Sequence, residues 1–282
     1  MKKVTKLLFA VAALFAFACT TDTTEDLGVK LEGQTTLTLS LEESRTQLGS
    51  AVAGLYPVTW SDGDKISVNG VESSSIVISE NASVATFTFN ETLSYPYAIA
   101  YPAAAAGKVV FADQQPQSEG TFANGAAAMY GYKSAEGGLA LNHLTGVLKI
   151  GVVGTGAINF VQISTVDRAP IAGEFAIDFA TGELTPTSAS KYQISAAFEE
   201  SADGDAGLAL SSEPKYLHFT VPAGVYNELY VTLYDADGGV MYATVKADDT
   251  KPLAAGKVRE FSNSIAYAPN SSAYIIRDKE TL

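Results

Sequence analysis

Strict alternation of apolar and polar residues is the feature that most constrains the fold of this chain. In the segment 35–43, Leu37, Leu39 and Leu41 alternate with threonine and serine. The segment 84–89 places Ala85, Phe87 and Phe89 on one side in the same way. Successive side chains of a β-strand point to opposite faces, so this period of two predicts half-buried strands. Helical periodicity is nearly absent, and the sequence therefore predicts an all-β protein.

Turn signals separate these strand segments along the whole chain. Asn69-Gly70 predicts a tight hairpin, and Pro96 and Pro102 indicate either an edge strand or the two ends of one strand. The alanine-rich segments 103–106 and 126–129 are candidates for a short helix among glycines. Many short strands without intervening helices indicate β-sandwiches. We expect an N-terminal sandwich over 35–138 and a C-terminal one over 139–268, with a boundary near Gly138.

The N-terminus has the pattern of a secretory signal peptide. Lys2, Lys3 and Lys6 precede an apolar stretch that runs to Ala18, which is shorter than the ~20 residues of a membrane-spanning helix. Cys19 is the only cysteine, and its position resembles that of a bacterial lipoprotein cysteine, so we expect removal of residues 1–18 and lipidation of Cys19. The alternative is ordinary signal peptidase cleavage after "AFA", which would leave a free thiol. Residues 19–34 are expected to be a lipidated, acidic tether.

Composition excludes several classes of function. The formal net charge is −13, which repels nucleic acid. A lipidated Cys19 leaves no thiol for a disulfide, a metal site or a nucleophile. The chain has two histidines, His143 and His218, which we interpret as structural or solvent-facing. We predict no enzymatic activity, no cofactor and no metal site.

Two kinds of motif resemble ligand-binding loops, one for dinucleotides and one for calcium, but neither has the full pattern. "GVVGTG" at 151–156 resembles a dinucleotide loop but is followed by a strand pattern, which predicts a hairpin turn. The acidic segments 61–64, 201–207 and 235–239 lack the spacing of a calcium loop and are interpreted as turns. Exposed tyrosines could stack on sugars, although a tyrosine-rich core explains them as well.

A series of short motifs in a fixed order resembles the fimbrillin family, the pilus subunits and related surface lipoproteins of Bacteroidales. The motifs include "SRT" at 44–46, "VTWSDGDKISV" at 58–68, "AIAYPA" at 98–103, "LNHLTGVLKIGV" at 141–152 and "FTVPAGVYNELYVTLYDADG" at 219–238. The resemblance runs from Cys19 to about Ala268. It implies two tandem transthyretin-like β-sandwich domains and no enzymatic activity.

The resemblance also implies a mechanism of assembly. Fimbrillins are exported as lipoproteins and cut by an arginine-directed protease after a first strand, and a strand of the next subunit fills the groove. Arg45 is the arginine in the matching position. The alternative is an uncut Arg45 and a monomeric lipoprotein.

The C-terminal residues 269–282 do not look like a long donor strand. "RDKETL" predicts a helix that begins at Asp278, and the segment is interpreted as a tail or as the start of a truncated further module. The leading hypothesis is a lipid-anchored, surface-exposed outer-membrane protein, located in a fimbrium if processed, with other fimbrial subunits or a host ligand as partners. The alternatives are a glycan-binding surface lipoprotein and the N-terminal module of a larger surface protein.

Overall fold

The protein is an all-β, sandwich-like molecule. A computed structural model describes residues 33–41, 59–80, 82–117, 121–136, 139–198, 207–226, 228–246, 252–261, 263–276 and 278–280, and it contains no helix in these ranges. Nothing in this part of the chain forms a helix long and apolar enough to cross a membrane. The predicted all-β class is therefore confirmed.

The strands follow one another along the chain with short connections. The first nine are β1 (Thr35–Ser40), β2 (Ser67–Val68), β3 (Val71–Glu72), β4 (Ser75–Ile78), β5 (Val84–Phe89), β6 (Tyr97–Tyr101), β7 (Lys108–Phe111), β8 (Met129–Lys133) and β9 (Asn142–His143). The next seven are β10 (Thr145–Val153), β11 (Ala157–Thr165), β12 (Ala172–Asp178), β13 (Glu183–Lys191), β14 (Gln193–Ala197), β15 (Leu208–Ala209) and β16 (Lys215–Pro222). The last six are β17 (Glu228–Asp235), β18 (Val240–Lys246), β19 (Val258–Phe261), β20 (Ile265–Ala266), β21 (Ser271–Ile276) and β22 (Asp278–Glu280).

The first half is a sandwich of two sheets. The first sheet has the order β1-β5-β4, and the central sheet has the order β3-β2-β6-β8-β9. Their facing side chains form one apolar core, which includes Leu39, Phe87, Ile99 and Met129. The alternation seen in the sequence sets this arrangement, because every second residue of β1 and β5 is buried.

A third sheet, here called the bridging sheet, covers the other face of the central sheet. Its order is β13-β12-β7, and Phe111 and Phe175 pack edge to face in its core at 5.0 Å between ring centroids. Strand β7 precedes the boundary predicted near Gly138, whereas β12 and β13 follow it, so this sheet joins segments from both sides. Gly138 itself lies outside the described residues, and the two-domain division stays a prediction.

The second half is a sandwich of two larger sheets. The β10 sheet has the order β16-β10-β19-β22, with β20 also paired to β10, and the β11 sheet has the order β14-β11-β17-β18-β21, with β15 also paired to β11. Their facing side chains form the largest core, which includes Ile150, Phe219, Ile163 and Leu233. Most pairs are antiparallel, but β10–β19, β10–β20 and β18–β21 are parallel.

Two local predictions are confirmed. Asn69 and Gly70 have φ angles of 53° and 86° and join β2 to β3, as expected for a tight hairpin turn. Pro96 and Pro102 directly flank β6, which lies between β2 and β8. Of the two alternatives for these prolines, strand ends is therefore correct, since a proline inside a central strand would remove a ladder hydrogen bond.

Three local predictions are wrong. The segment 151–156 is not a hairpin turn, because β10 and β11 belong to different sheets and the turn carries the chain across the sandwich. The segments 103–106 and 126–129 form no helix; Gly107 and Gly125 both have φ of 73° and make turns beside them. The segment from Asp278 forms β22 instead of a helix and pairs with β19, as so short a helix is unstable whereas an open strand edge offers backbone partners.

Candidate strand-exchange site

The two residues with predicted roles in anchoring and processing, Cys19 and Arg45, lie outside the described residues. The first strand, which precedes Arg45, is described. It was predicted over 35–43 and is observed over Thr35–Ser40, with Leu41 directly after it and residues 42 and 43 outside the described ranges.

Strand β1 is an edge strand that is held mainly from one side. It pairs antiparallel with β5 over its whole length, from Thr35 opposite Phe89 to Ser40 opposite Val84. On its other side the described residues provide a single bridge, from Ser40 to Ala140. The backbone groups of β1 can therefore be separated from the fold by breaking one ladder.

The leucine side chains of β1, and that of Leu41 directly after it, nevertheless belong to the core. Leu37, Leu39 and Leu41 are 2%, 0% and 4% exposed, as predicted from the alternation. On the outer side Thr38 forms a hydroxyl–hydroxyl hydrogen bond of 2.9 Å with Thr86 of β5. Removing β1 would therefore open an apolar groove in the first sandwich along the edge of β5.

Hydrogen bonds fasten both ends of β1. At its start, the buried hydroxyl of Thr35 donates to the carbonyl of Glu91 and accepts from the N–H of Leu93, at 2.9 Å each. At its end, the N–H of Leu41 donates to the carbonyl of Ser83 at 2.8 Å. These contacts fix the register, so a replacement strand would have to present a small hydroxyl and apolar residues at the same spacing.

Two other sheet edges are closed by the segment 113–117. Ser195 of β14 exchanges backbone hydrogen bonds with Asp113 and Gln115, which covers the edge of the β11 sheet. The side-chain amides of Gln115 and Gln117 pair with the backbone of Thr220 and His218 in β16. We call the latter contact the glutamine clamp; it covers the edge of the β10 sheet. Sequence reasoning missed it, although "QQPQ" after a strand is an unusual concentration of amides.

His218 is buried and His143 is half-buried, and desolvation is the main influence on the pKa of both imidazoles. His218 is 3% exposed and lies opposite Lys149, whose ammonium is 3.1 Å from a Glu260 oxygen. Burial lowers the pKa of both His143 and His218 to about 4. Of the alternatives considered for His218, a structural role is correct, and solvent-facing is wrong.

The acidic turns use their carboxylates to hold the backbone. Asp64 accepts hydrogen bonds from the N–H of Ser61 and the hydroxyl of Tyr101, both at 2.8 Å, and burial raises the pKa of Asp64. Asp235 accepts from the N–H groups of Asp237 and Gly239 and from Tyr267. Both segments are turns as predicted, while 201–206 lies outside the described residues. In the described part of the chain no three His, Cys, Asp or Glu residues are grouped to hold a metal ion.

Exposed tyrosines are divided between several surfaces, but two of them share one sheet face. Tyr230 of β17 and Tyr242 of β18 are 46% and 61% exposed and point away from the core of the β11 sheet. Tyr132 and Tyr216, which are 45% and 40% exposed, lie on other sheets. A row of exposed aromatic side chains would favour a glycan-binding surface. Tyr230 and Tyr242 form one such pair on the β11 sheet.

Comparisons with known proteins give little to add to this geometry. No family model matches the chain, and no curated protein matches it. Among solved structures, the chain is similar to a "putative cell adhesion protein" from Bacteroides fragilis, with 12% sequence identity and a TM-score of 0.38 over 83% of this chain and 95% of that chain. The fimbrillin resemblance therefore stays a prediction.

Proposed function

We propose that this protein is a non-enzymatic surface lipoprotein of the outer membrane with a structural and adhesive role, either a fimbrial subunit or a fimbrillin-like accessory, that assembles by strand exchange. One observation carries the proposal: β1 and the residue after it supply three leucines to the core, yet β1 pairs with a single strand over its length. Loss of such a strand exposes apolar core surface, while its replacement requires the exchange of only one backbone ladder.

The physical mechanism follows from the two contributions that β1 makes. Each buried leucine contributes on the order of 1.5–3 kcal/mol through removal of apolar surface from water. The open edge of β5 would leave backbone N–H and C=O groups without partners. A strand from a second subunit restores both contributions when it carries apolar residues at the positions of Leu37, Leu39 and Leu41, which is β-strand addition.

Two of the edges that could compete with β5 are closed. The segment 113–117 covers β14 and β16, so an incoming strand would have to displace paired backbone groups there. Release of β1 after a cut at Arg45 would expose an apolar groove and a free edge together. This combination supports β5 as the acceptor.

A peptide-exchange experiment tests the proposal directly. The mature protein is cut by brief treatment with trypsin and then mixed with a labelled peptide of residues 35–43. We expect the peptide to replace β1 in the cut protein but not in the uncut Arg45→Ala variant. The matched control is the same peptide with Leu37 and Leu39 replaced by serine, which should not bind. Equal binding of both peptides, or no exchange after cutting at Arg45, would refute strand exchange.

Anchoring is tested separately in cells. Cys19→Ala removes the thiol to which the lipid would be attached, and one acyl chain or none gives at most marginal membrane binding. We expect the wild-type protein to fractionate with the outer membrane and to incorporate labelled palmitate. The alanine variant should do neither. An alanine variant that still sediments with outer membranes after a high-salt wash would contradict the lipoprotein assignment.

A further inference from the structure

The outer face of the β11 sheet combines exposed aromatic rings with uncharged hydrogen-bonding groups. Its central residues are Phe160 and Gln162 of β11, Tyr230, Thr232 and Tyr234 of β17, and Tyr242 of β18; we call this surface the tyrosine face. The registers place Phe160 opposite Tyr234, Gln162 opposite Thr232, and Thr232 opposite Tyr242. The intervening residues of these strands point into the core, so the six side chains share one face.

This face carries no charge although the chain is strongly acidic. The strand segments 160–164, 193–197, 230–234 and 240–244 contain no Asp, Glu, Lys or Arg, whereas the whole chain has a formal net charge of −13. Charged residues lie around it: Lys191 forms an ion pair with Asp113, Arg168 lies over the Tyr192 ring, and Lys246 is exposed at the end of β18, opposite Glu228 in register. The six central side chains of the tyrosine face therefore offer no cation to an anionic ligand and no carboxylate to a cationic one.

A cleft extends the tyrosine face toward β14. Its volume is about 320 Å³, and its walls include Gln162, Tyr192, Gln193 and Ser195 together with the ion pair of Lys191 and Asp113. The side-chain amides of Gln162 and Gln193 have no hydrogen-bond partner among the described residues. An amide offers two donors and an acceptor, so the cleft can bind hydroxyl groups that both donate and accept.

The dimensions favour a slender ligand over a second folded chain. Adjacent strands are about 4.8 Å apart, so the distance from β14 to β18 is about 14 Å. The four strand segments cover roughly 300 Å², much less than the roughly 800 Å² per partner that stable protein interfaces bury. Tyr230 and Tyr242 are diagonal neighbours on adjacent strands, which places their backbones about 7–8 Å apart. Neighbouring rings of an extended oligosaccharide can lie on two tyrosines at this spacing.

We propose that the tyrosine face and its adjoining cleft bind an uncharged polysaccharide, with sugar rings stacked on Tyr230 and Tyr242 and hydroxyl groups hydrogen-bonded to Gln162 and Gln193. The apolar side of a sugar ring packs on an aromatic face, while its hydroxyl rim matches the amides. This inference rests on the proposed function in one respect: a location on the cell surface is what brings the protein into contact with polysaccharide. The binding itself is independent of β1, which lies in another sheet.

Affinity electrophoresis of the mature chain tests this inference. Native gels contain a soluble galactomannan, a mixed-linkage β-glucan or an α-glucan, and alginate serves as the anionic comparison. We expect at least one neutral polysaccharide to retard the protein, with Tyr230→Ala/Tyr242→Ala reducing the apparent affinity at least tenfold. Tyr230→Phe/Tyr242→Phe should retain most of the retardation because it keeps both rings. Tyr132→Ala, which removes a tyrosine of equal exposure from another sheet, should have no effect.

The outcomes separate this inference from strand exchange. Retardation by alginate alone, retardation by none of the four polymers, or an equal effect of Tyr132→Ala would overturn the inference. The double alanine variant must keep the wild-type melting temperature and the exchange of the 35–43 peptide. If exchange fails in the wild-type protein while neutral polysaccharides still retard it, strand exchange is refuted and the glycan site stands.

Discussion

The side-chain amide of Gln115 forms a pair of hydrogen bonds with the backbone of Thr220, both at 2.8 Å. Its Nε2 donates to the Thr220 carbonyl and its Oε1 accepts from the Thr220 N–H. The amide thus makes the same two bonds that a neighbouring strand would make. Gln117 repeats the arrangement at His218, at 3.0 and 2.8 Å. Two side chains therefore take the place of a strand along β16, and they prevent another chain from pairing there.

Replacing Gln115 by alanine should destabilise the protein substantially. Gln115 is fully buried, and the substitution leaves the buried N–H and C=O of Thr220 without their partner. We expect a loss of about 2–4 kcal/mol in the free energy of unfolding, since each unsatisfied buried group costs roughly 1–3 kcal/mol. Urea denaturation measures the loss. Gln114→Ala removes an exposed amide next to it and should change the free energy by less than about 0.5 kcal/mol. Equal effects of the two substitutions would contradict the role of the clamp.

Truncation of Leu39 in β1 should lower the stability of the protein and so measure the contribution of this strand to the core. Leu39 is fully buried between β5 and the central sheet. We expect Leu39→Ala to lower the free energy of unfolding by about 2–5 kcal/mol, through lost burial and a cavity. Val77→Ala in β4 provides the comparison, because Val77 is 68% exposed in the same sheet and its loss should cost less than about 0.5 kcal/mol. A Leu39→Ala protein as stable as Val77→Ala would show that β1 does not belong to the core.

The hairpin glycine Gly70 should tolerate no side chain. Its φ is 86°, and an added Cβ would lie 2.6 Å from the backbone nitrogen of Ala106. Gly63 has a similar φ of 88° but open space at the same position. Both alanine variants carry the strain of a left-handed conformation, about 1–2 kcal/mol, and Gly70→Ala adds the clash. We therefore expect a lower melting temperature for Gly70→Ala than for Gly63→Ala. Equal melting temperatures of the two variants would show that the backbone at Ala106 can move away from an added Cβ.

Acidification should destabilise the fold through the buried His218. The pKa of His218 is lowered from 6.5 to about 4 by burial and by Lys149, partly offset by Glu260. Between these values the unfolded chain binds more protons than the folded one, so the free energy of unfolding falls as the pH drops from about 6.5 to 4. The slope is at most about 1.4 kcal/mol per pH unit for one group. Denaturation of His218→Gln at several pH values should show a smaller dependence of the free energy of unfolding on pH, equivalent to the uptake of up to one proton fewer on unfolding. An unchanged slope would mean that His218 does not titrate on unfolding.

Local residue patterns were sufficient for the parts of the fold that depend on neighbours in sequence. The face of β1 follows from Leu37, Leu39 and Leu41, because a slip of one residue would bury threonine and serine instead. The turn at Asn69-Gly70 follows from the positive φ that these two residues adopt readily. In both cases the physical cause lies within a few residues of the feature.

Features that depend on distant partners could not be predicted from these patterns. Gln115 and Thr220 are 105 positions apart, and nothing near Gln115 indicates that its amide would meet a strand edge. The turn at 151–156 has the composition of a hairpin, yet only the partners of β10 and β11 decide that it crosses between sheets. The local sequence from Asp278 predicts a helix, but the segment forms strand β22. Its partner β19 supplies the stabilisation that the local sequence lacks.

The parallel pairing of β10 determines when this half of the protein can fold. Strand β10 receives β16 on one side and β19 and β20 on the other. Those partners begin at residues 215, 258 and 265, so the sheet around β10 cannot be completed until β20 has left the ribosome. Pairings between such distant segments form slowly, because the intervening chain must first be closed into a loop. Strand β10 must therefore wait through the synthesis of about 100 later residues with one of its edges unpaired.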